Sequence, residues 1–364
     1  MKSTPDQSEA APEGTTILIV GGGPAGSVCA AFCAQAGLNV TLLERATFPR
    51  EKVCGDCLNP NSWPILDRLG VAARVLEMPH ARLATVTFAD AAGRLLDYPL
   101  PPAGRGEIAV PRREFDHLLL NHARAAGATV VEESAVTEVA RLASPAGWEV
   151  TAAGERHRAG ILVAADGRNS TVARLLGLMP PAAKDRVGLQ THLPLPSSAQ
   201  ARVVMRFLPD GYCGLADVGA GRANLCLVAS PARIGAVKAW ATAEFQLPAD
   251  QPWRSIAPLE RRAITSPEPT LLLIGDTARV VEPFTGEGIY YALATGELAA
   301  RCIIEHRLDS YAQESRALYR GRLWVNGLAR AACKHPQLAA GLLRVARHWP
   351  AALGLLTRKV TRGA

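Results

Sequence analysis

A glycine-rich turn and an acidic residue near the start of the chain have the types and spacing needed to bind a dinucleotide. The turn is Gly21-x-Gly23-x-x-Gly26, and the acid is Glu44. Gly21 permits a tight turn, Gly23 lets the backbone approach a pyrophosphate, and Gly26 lets a helix lie close to a sheet. Glu44 stands where an acid would accept the hydroxyls of an adenosine ribose. Because a carboxylate there repels a 2′-phosphate, we expect FAD or NAD and not NADP.

The residues around this turn predict the β-α-β unit that would position it. An apolar, β-branched run at 17–20 predicts a strand, and Ala-rich residues from about 25 to 36 predict a helix that stops at Gly37. Residues 40–43 predict a second strand that ends on Glu44. The pyrophosphate would then lie at the helix N-terminus, where unpaired N–H groups and the helix dipole favour an anion. A glycine-rich turn without a ligand is the alternative, but strand, helix and acid in register favour dinucleotide binding.

Two further pairs of glycine and acid follow apolar runs that predict buried strands. They are Asp166-Gly167 and Gly275-Asp276. A loop rich in glycine and proline comes after the second pair, with Pro283, Gly286, Gly288 and Ile289. Three segments of this kind are therefore spaced across the chain.

Other patterns predict the elements between these segments. The context Arg-x-x-Phe-Asp at Arg112 opens an amphipathic helix that stops at Gly127. The chain after the glycine-rich loop is predicted to be helical, with Pro336 and Pro350 as breaks. Alternating residues predict strands of a second sheet at 83–88, at 95–98 and between 185 and 230.

The composition is that of an ordinary globular protein. Its 364 residues are 48% hydrophobic and 20% charged, enough to bury a large core in one domain or in two interleaved domains. The chain shows neither a signal-peptide pattern nor an apolar run long enough to span a bilayer, so we expect a cytoplasmic protein. Eight scattered cysteines, mostly in apolar segments, are typical of reduced thiols and not of a disulfide framework.

The net charge of +7 is concentrated in the C-terminal region. From Arg301 onward there are 12 Lys and Arg against 3 Asp and Glu, a surplus of 9. These residues alternate with apolar ones such as Leu338, Val345 and Trp349. Two interpretations follow: the helices cap the protein with their apolar faces inward, or they form a peripheral contact with a membrane surface that carries anionic lipid. Interleaved aromatics typical of nucleic-acid binding are lacking, so we expect no nucleic-acid partner.

Cys54, Cys57 and His192 suggest reactive sites that the rest of the chain does not support. No second Cys/His pair stands at metal-ligand spacing, so we expect no metal, and a redox dithiol is the minor interpretation. His192, on a predicted strand, is more simply a solvent-facing or hydrogen-bonded histidine than a substrate ligand. The catalytic residues are unknown from the sequence.

In kind and order, the glycine and acid segments resemble the FAD-binding signatures of the glutathione-reductase-like flavoproteins. The specific branch holds para-hydroxybenzoate hydroxylase-like monooxygenases and geranylgeranyl reductases, and the resemblance covers about residues 15–330. It implies an α/β fold, with a Rossmann-like FAD/NAD(P)-binding domain of the glutathione-reductase type, an inserted, mostly antiparallel β-sheet substrate domain and a C-terminal helical region. The implied boundaries are a flexible tail at 1–14, the FAD-binding domain at 15–79, 106–182 and 264–306, the substrate domain at 80–105 and 183–263, and C-terminal helices at 307–364.

The resemblance implies FAD as the cofactor and NAD(P)H as the electron donor. Arg112 would contact the cofactor, and the carboxylate of Asp276 would accept a hydrogen bond from the ribityl chain. The loop at 283–289 would run beside the isoalloxazine ring, where N–H groups at a helix start stabilise negative charge. The implied cofactor-binding residues are Gly21, Gly23, Pro24, Ala25, Gly26, Glu44, Arg45, Arg112, Asp166, Gly167, Gly275, Asp276, Pro283, Gly286, Gly288 and Ile289.

Two departures from the geranylgeranyl reductases bear on the substrate. Those enzymes usually carry Cys-Gly-Gly, whereas this chain has Cys54-Gly55-Asp56. They also usually carry an aromatic Tyr-x-Trp-x-Phe-Pro segment, and the corresponding residues 211–217 of this chain read Gly-Tyr-Cys-Gly-Leu-Ala-Asp. We therefore expect an FAD-dependent oxidoreductase that hydroxylates an aromatic or lipid-like small molecule as an NAD(P)H-dependent monooxygenase. One alternative is a geranylgeranyl-reductase-like enzyme that reduces C=C bonds of an isoprenoid. Another is a non-catalytic binding protein of the Rab escort and GDP-dissociation-inhibitor type.

We expect the substrate pocket to be lined by strands between 185 and 230 and by residues near Trp63, Phe207 and Tyr212.

Overall fold

The computed structural model describes residues 16–100, 104–181 and 186–349. In chain order, the strands are β1 (Ile17–Val20), β2 (Val40–Leu43), β3 (Cys57–Leu58), β4 (Ala81–Leu83), β5 (Thr85–Ala89), β6 (Leu95–Pro99), β7 (Glu107–Ala109), β8 (Thr129–Val131), β9 (Val136–Ala143), β10 (Ala146–Ala152), β11 (Glu155–Ala159), β12 (Ile161–Ala164), β13 (Val187–Pro194), β14 (Arg202–Leu208), β15 (Gly211–Gly219), β16 (Arg222–Ala229), β17 (Arg254–Ile256) and β18 (Leu271–Leu273). The α-helices are α1 (Pro24–Gln35), α2 (Trp63–Leu69), α3 (Ala72–Glu77), α4 (Arg112–Ala125), α5 (Thr171–Leu175), α6 (Ile234–Glu244), α7 (Gly288–Ile304), α8 (Leu308–Leu318), α9 (Leu323–Lys334) and α10 (Pro336–His348).

A five-stranded parallel sheet forms the first layer, in the strand order β18-β12-β1-β2-β8. The residues of β1, β12 and β18 are buried along the whole strand, as parallel strands covered on both faces require. Helix α1 returns the chain from β1 to β2 and packs against α4 and α7, which confirms the predicted β-α-β unit. Since parallel strands end at one edge of their sheet, the residues just beyond four of them lie together: Gly21, Glu44, Asp166 and Gly275.

A seven-stranded sheet forms the second layer, in the order β17-β13-β16-β15-β14-β5-β6. Neighbouring strands are antiparallel, except that β14 and β5 pair in parallel. One face packs against α6, and the other meets α9 and α10 through residues such as Phe207 and Ala339. The predicted fold class is confirmed by this pairing of a parallel sheet with a mostly antiparallel one. The exact domain boundaries stay a prediction.

The strand prediction differs from the structure at 83–88, and it misses β11 and the short strands β3, β7 and β17. The sequence predicts one strand at 83–88, whereas β4 ends at Leu83 and β5 begins at Thr85. Ala84 lies between them and donates its N–H to the carbonyl oxygen of Ala201 (2.8 Å) as the chain passes from the small sheet β3-β7-β4 to the large one. Strand β11 was not predicted because its residues are mostly charged; its backbone is held by antiparallel pairing with β10.

Helices α9 and α10 are separated at the proline that the sequence predicts as a break. Helix α9 ends at Lys334 and α10 begins at Pro336. Proline cannot continue a preceding helix, but in a first turn its missing N–H costs no hydrogen bond. Pro350 and the predicted flexible tail at 1–14 lie outside the described residues. Across the described ranges, every helix is too short or too polar to cross a bilayer.

Candidate functional site

A cavity of about 780 Å³ lies between the carboxyl edge of the parallel sheet and the seven-stranded sheet. All the predicted cofactor-binding residues except Gly26 line it. Side chains from β14, β15, α9 and α10 line its other part. Cavities of this size hold small-molecule ligands and cofactors. The fold therefore brings the three glycine and acid segments to one place.

Glycines at the start of α1 allow the helix to pack closely. Gly21 has a φ of +109°, and a Cβ there would lie 2.5 Å from the carbonyl oxygen of Ala165. A Cβ on Gly26 would overlap the carbonyl oxygen of Gly21. Gly26 thus sets the distance between α1 and β1 and does not itself line the cavity.

The N-terminus of α1 is open to an anion. Its N-cap residue is Gly23, which makes no side-chain cap, and its first turn holds no acidic residue. A Cβ on Gly23 would lie 3.7 Å from Nη2 of Arg50, so a guanidinium stands beside these N–H groups. Unpaired N–H groups, the helix dipole and a cation together suit a pyrophosphate.

The carboxylate of Glu44 also orders the glycine turn. Its Oε2 accepts the N–H of Gly22 (2.7 Å), and its Oε1 accepts the N–H of Ala46 (2.9 Å). A carboxylate oxygen can accept more than one hydrogen bond, so both oxygens keep capacity for ribose hydroxyls. That contact stays a prediction, although Glu44 lines the cavity where it would occur.

Arg112 is fixed by a bidentate pair with Asp116. The Nε and Nη2 atoms of Arg112 lie 2.6 and 2.7 Å from the two carboxylate oxygens, and Nη1 of Arg50 donates to the same carboxylate (3.0 Å). Burial disfavours the charge of Arg112, but the neighbouring carboxylate raises the pKa of the guanidinium above its ordinary value. Two guanidinium groups share one carboxylate, which leaves a net positive charge beside the cavity.

Asp166 and Asp276, the acids of the second and third glycine segments, have different partners. Oδ2 of Asp166 accepts the N–H groups of Thr171 (2.6 Å) and Val172 (3.1 Å), so this carboxylate caps the start of α5. Asp276 instead pairs with Arg168 at 3.1 Å, and its side chain is 31% exposed at the cavity. Asp166 therefore has a structural task, whereas the carboxylate of Asp276 is accessible to a bound molecule.

A second helix N-terminus reaches the cavity at α7. Gly286 adopts a left-handed conformation (φ +67°) that ends the 3₁₀ turn Pro283–Thr285. The side chain of the N-cap residue Glu287 does not cap the helix backbone; its buried carboxylate pairs with Arg322 at 3.1 Å and accepts the hydroxyl of Tyr291 at 3.5 Å. The first N–H groups of α7 thus lack a side-chain cap among the described residues, and Gly288 lines the cavity. They are placed to stabilise negative charge on a bound group.

Sequence reasoning missed three basic residues and two acids at the cavity: Arg50, Lys52, Arg168, Glu51 and Glu107. Arg50 and Lys52 lie close together in the segment Phe-Pro-Arg-x-Lys at 48–52, which was a usable signal for these two residues. Burial, aided by the charges of Arg112 and Arg50, lowers the pKa of Lys52 to about 8. Glu107 carries no signal of its own, because it begins a strand of three residues whose neighbours come from distant segments.

The cysteines at the cavity are neutral thiols. All eight cysteines are unpaired, and Cys54 and Cys57 line the cavity. Burial raises the pKa of Cys57 well above its usual value and also raises that of Cys54, which disfavours the thiolate needed for redox exchange. His192 does not line the cavity; its Nε2 lies 3.2 Å from Oδ2 of the buried Asp56.

The part of the cavity between the seven-stranded sheet and the last two helices is apolar. The rings of Phe207 and Tyr212 pack against Phe284, with centroid distances of 5.5 and 5.4 Å. Phe207 and Tyr212 line the cavity, and their role in a substrate pocket stays a prediction; Trp63 itself lies in the core and donates its indole N–H to the carbonyl oxygen of Gly106 (2.7 Å). Further lining residues here are Phe88, Met205, Leu328, Ala332, Leu342 and Leu343.

Comparison with known proteins identifies the family. A family described as FAD binding domain matches residues 14–200. The menaquinone reductase of Mycolicibacterium smegmatis is 31% identical, over 81% of this chain and 78% of that protein. Digeranylgeranylglycerophospholipid reductase 2 of Methanopyrus kandleri is also 31% identical, over 79% of this chain and 76% of that protein.

Solved structures share the fold at lower identity. Pseudomonas aeruginosa PqsL in complex with 2-aminobenzoylacetate has a TM-score of 0.78 at 19% identity, over 91% of this chain and 99% of that chain. The flavin-dependent brominase Bmp2 has a TM-score of 0.77 at 20% identity, over 95% of this chain and 93% of that chain. The matching family and the two reductases support an oxidoreductase over the non-catalytic binding protein. The chain therefore belongs to the FAD-dependent oxidoreductases that share this FAD-binding domain.

Proposed function

We propose that this protein is an FAD-dependent reductase that saturates a carbon–carbon double bond in a long, apolar isoprenoid substrate. The observation that carries the proposal is the apolar part of the cavity, which continues from the predicted cofactor residues to α9 and α10. An isoprenoid chain has little besides apolar surface to offer a protein, so such a lining suits it. The reductases to which the chain is 31% identical act, by their names, on menaquinone and on a digeranylgeranyl lipid.

The residues present fit FAD. The uncapped N-terminus of α1 with Arg50 suits the pyrophosphate, Glu44 suits the adenosine ribose, and Asp276 offers an accessible carboxylate for the ribityl hydroxyls. The N-terminus of α7 suits the electron-rich edge of the ring. Bound FAD supplies hydride transfer, with NAD(P)H as the proposed donor. The protein contributes orientation and, through the packed helices α9 and α10, exclusion of water.

Hydroxylation of an aromatic compound is the second candidate. Tyr212, which lines the cavity, carries a hydroxyl group that would suit a phenol or amine better than a saturated chain. The aromatic segment of geranylgeranyl reductases is also missing at 211–217. We rank this candidate second because the apolar lining described above offers an aromatic head group few other polar contacts.

An anaerobic single turnover separates the two candidates. FAD-loaded protein is reduced with NADPH or NADH under argon and mixed with a detergent-dispersed geranylgeranyl lipid or with menaquinone. The reductase proposal requires the visible flavin absorbance to return without oxygen, and the lipid product to carry one extra pair of hydrogens by mass spectrometry. Air reoxidises any menaquinone whose quinone ring was reduced. Extra hydrogens that remain after exposure to air therefore lie in the isoprenoid tail.

Variants of α10 test whether the apolar part of the cavity holds the substrate. Leu343→Trp fills the cavity, whereas Gln337→Trp places the same ring on the exposed side of the same helix. The first change should raise the substrate KM at least tenfold while FAD content stays normal, and the second should leave KM unchanged. Reoxidation that requires oxygen and yields a hydroxylated product would instead establish the second candidate.

A further inference from the structure

We propose that the carboxyl group of Glu107 is the proton donor to the substrate double bond, an inference that rests on the proposed reduction. Glu107 lines the cavity from β7, the middle strand of the small sheet β3-β7-β4. Among the residues that the structure describes, its carboxylate has neither a hydrogen-bond partner nor an ion-pair partner. An acid placed in this way has no evident structural task.

The surroundings of Glu107 are apolar on every strand that packs against its face. Leu83 of β4 stands directly opposite Glu107, and Ala109 lies on the same face of β7. Leu83 and Ala109 belong to a buried cluster with Leu100 and Val218 of β15. The titratable group that faces Glu107 is Cys57 of β3, which is itself neutral.

This environment brings the pKa of the Glu107 carboxyl group close to neutral pH. Partial burial among apolar residues raises the pKa of its carboxyl group to about 7, because a carboxylate there is less hydrated and gains no partner among the described residues. At that value the group holds its proton for a large share of the time at pH 7 and can regain it after each turnover. A carboxyl group with a pKa near the working pH is well suited to general acid catalysis.

Glu107 also lies beside the segment predicted to flank the isoalloxazine ring. A Cβ on Gly286 would stand 3.8 Å from Cβ of Cys57, and Cys57 is paired with Ala109 on the face that carries Glu107. Cys57, whose pKa Glu107 helps to raise, therefore lies between the proposed acid and the loop at 283–289. The double bond to be reduced would lie between them.

The chemistry balances as an addition of a hydride and a proton. Transfer of the carboxyl proton to the less substituted carbon of the double bond breaks the π bond and forms one C–H bond. Positive charge would develop on the more substituted carbon, where the hydride that bound, reduced FAD would supply forms the second C–H bond. The cofactor is left oxidised, and Glu107 is left as a carboxylate that regains a proton from water.

The test compares Glu107→Gln, Glu107→Asp and, as a matched control, the exposed Glu155→Gln. Each variant should bind FAD and be reduced by the nicotinamide donor at the wild-type rate. Anaerobic saturation of the geranylgeranyl lipid should fall about a hundredfold or more in Glu107→Gln, recover in part in Glu107→Asp and be normal in Glu155→Gln. Wild-type turnover in the Glu107→Gln variant would overturn the proposal.

An infrared titration tests the proton without any turnover. The protonated-carboxyl stretch of Glu107 should titrate with a midpoint near 7 in wild-type protein and in Glu155→Gln, and should be missing from Glu107→Gln. Its absence from wild-type protein below neutral pH would overturn the proposal even if the variants were inactive. Failure of wild-type protein to saturate any isoprenoid, with the infrared band present, would instead contradict the proposed substrate class. If Glu107→Gln does not fold, the infrared titration and Glu107→Asp decide.

Discussion

The acidic side chains at and beside the cavity differ in whether a bound molecule can still reach them. Asp166 caps α5, and Asp116 is shared by Arg112 and Arg50. Asp276 keeps an accessible carboxylate, and Glu107 keeps one without a partner in the described chain. The second pair is where substitutions should change binding or chemistry more than stability.

Asp276→Ala should yield folded protein that binds FAD roughly ten- to a hundredfold more weakly. A hydrogen bond from a charged group contributes about 1.5 to 3 kcal/mol, and the variant loses the one predicted with the ribityl chain. Titration of apoprotein with FAD by flavin fluorescence measures the change. Asp210→Ala, at a loose surface pair with Arg233 (3.4 Å), is the control and should bind as wild type. Unchanged affinity in Asp276→Ala would remove this residue from the site.

Because of Lys52, the affinity for FAD should change with pH in the alkaline range. The folded apoprotein holds the pKa of Lys52 at about 8, while in the unfolded chain it has its ordinary value of 10.5. Between these values the unfolded chain binds more protons, so the stability of the apoprotein gains from this residue as pH rises through that window. A bound pyrophosphate favours the charged amine, so FAD affinity should fall above about pH 8. Calorimetry should show proton uptake on binding that Lys52→Met removes; equal uptake in both proteins would contradict the assignment.

At the scale of elements, the fold depends on close contacts that one methyl group can break. Gly26 is where α1 meets β1, and Gly296 of α7 lies against the backbone of Ala25 in a similar way. These small residues let α1 pack between the sheet and α7. The open N-terminus of α1 is consequently held in place by packing and not by its own cap.

Gly26→Ala should destabilise the protein and weaken FAD binding, because the new Cβ would overlap the carbonyl oxygen of Gly21. Overpacking of this kind costs about 1 to 3 kcal/mol. Gly327→Ala on α9 is the matched control: a Cβ there meets open space, so the change should raise stability by about 0.5 to 1 kcal/mol. Thermal unfolding of both apoproteins measures the difference. Equal stabilities would show that α1 has room to shift.

Local patterns in the sequence were enough to predict the β-α-β unit, the start of α4 and the break at Pro336. Each depends on residues close in the chain, such as the apolar run of β1 or the proline of α10. The separation of β4 from β5 depends on a hydrogen bond to Ala201, which is remote in sequence. The position of Glu107 depends likewise on β3, β4 and β15, so periodicity within its own segment could not reveal it.

At the scale of the whole molecule, α10 has apolar residues on two sides. Ala339, Leu342 and Leu343 line the cavity, while Leu338 and, just after the helix, Trp349 are 39 and 68% exposed; Val345 both lines the cavity and is 53% exposed. Exposed Arg344 and Arg347 accompany the outer residues. The helix thus stands between the proposed substrate space and the exterior.

We propose that this outer side contacts a membrane surface. Arg344→Glu with Arg347→Glu should reduce sedimentation with phosphatidylglycerol vesicles at least tenfold at low salt, since each cation near the surface contributes about 1 kcal/mol. Added salt should release the wild-type protein. Arg156→Glu with Arg222→Glu changes the same charge on exposed strand residues and should pellet like wild type. Equal, negligible pelleting of all three proteins would leave α10 as a cover for the cavity alone.

The cavity is built from segments that run from Val20 to Ala346, so no single stretch of the chain can hold FAD by itself. The cofactor therefore binds the folded chain and not the unfolded one, and mass action links the two equilibria. Free FAD at a hundred times its Kd would add about 2.7 kcal/mol to the free energy of unfolding. That amount is a large fraction of the stability of an ordinary domain. In a cell that clears unfolded chains, the abundance of this protein would follow the supply of its flavin.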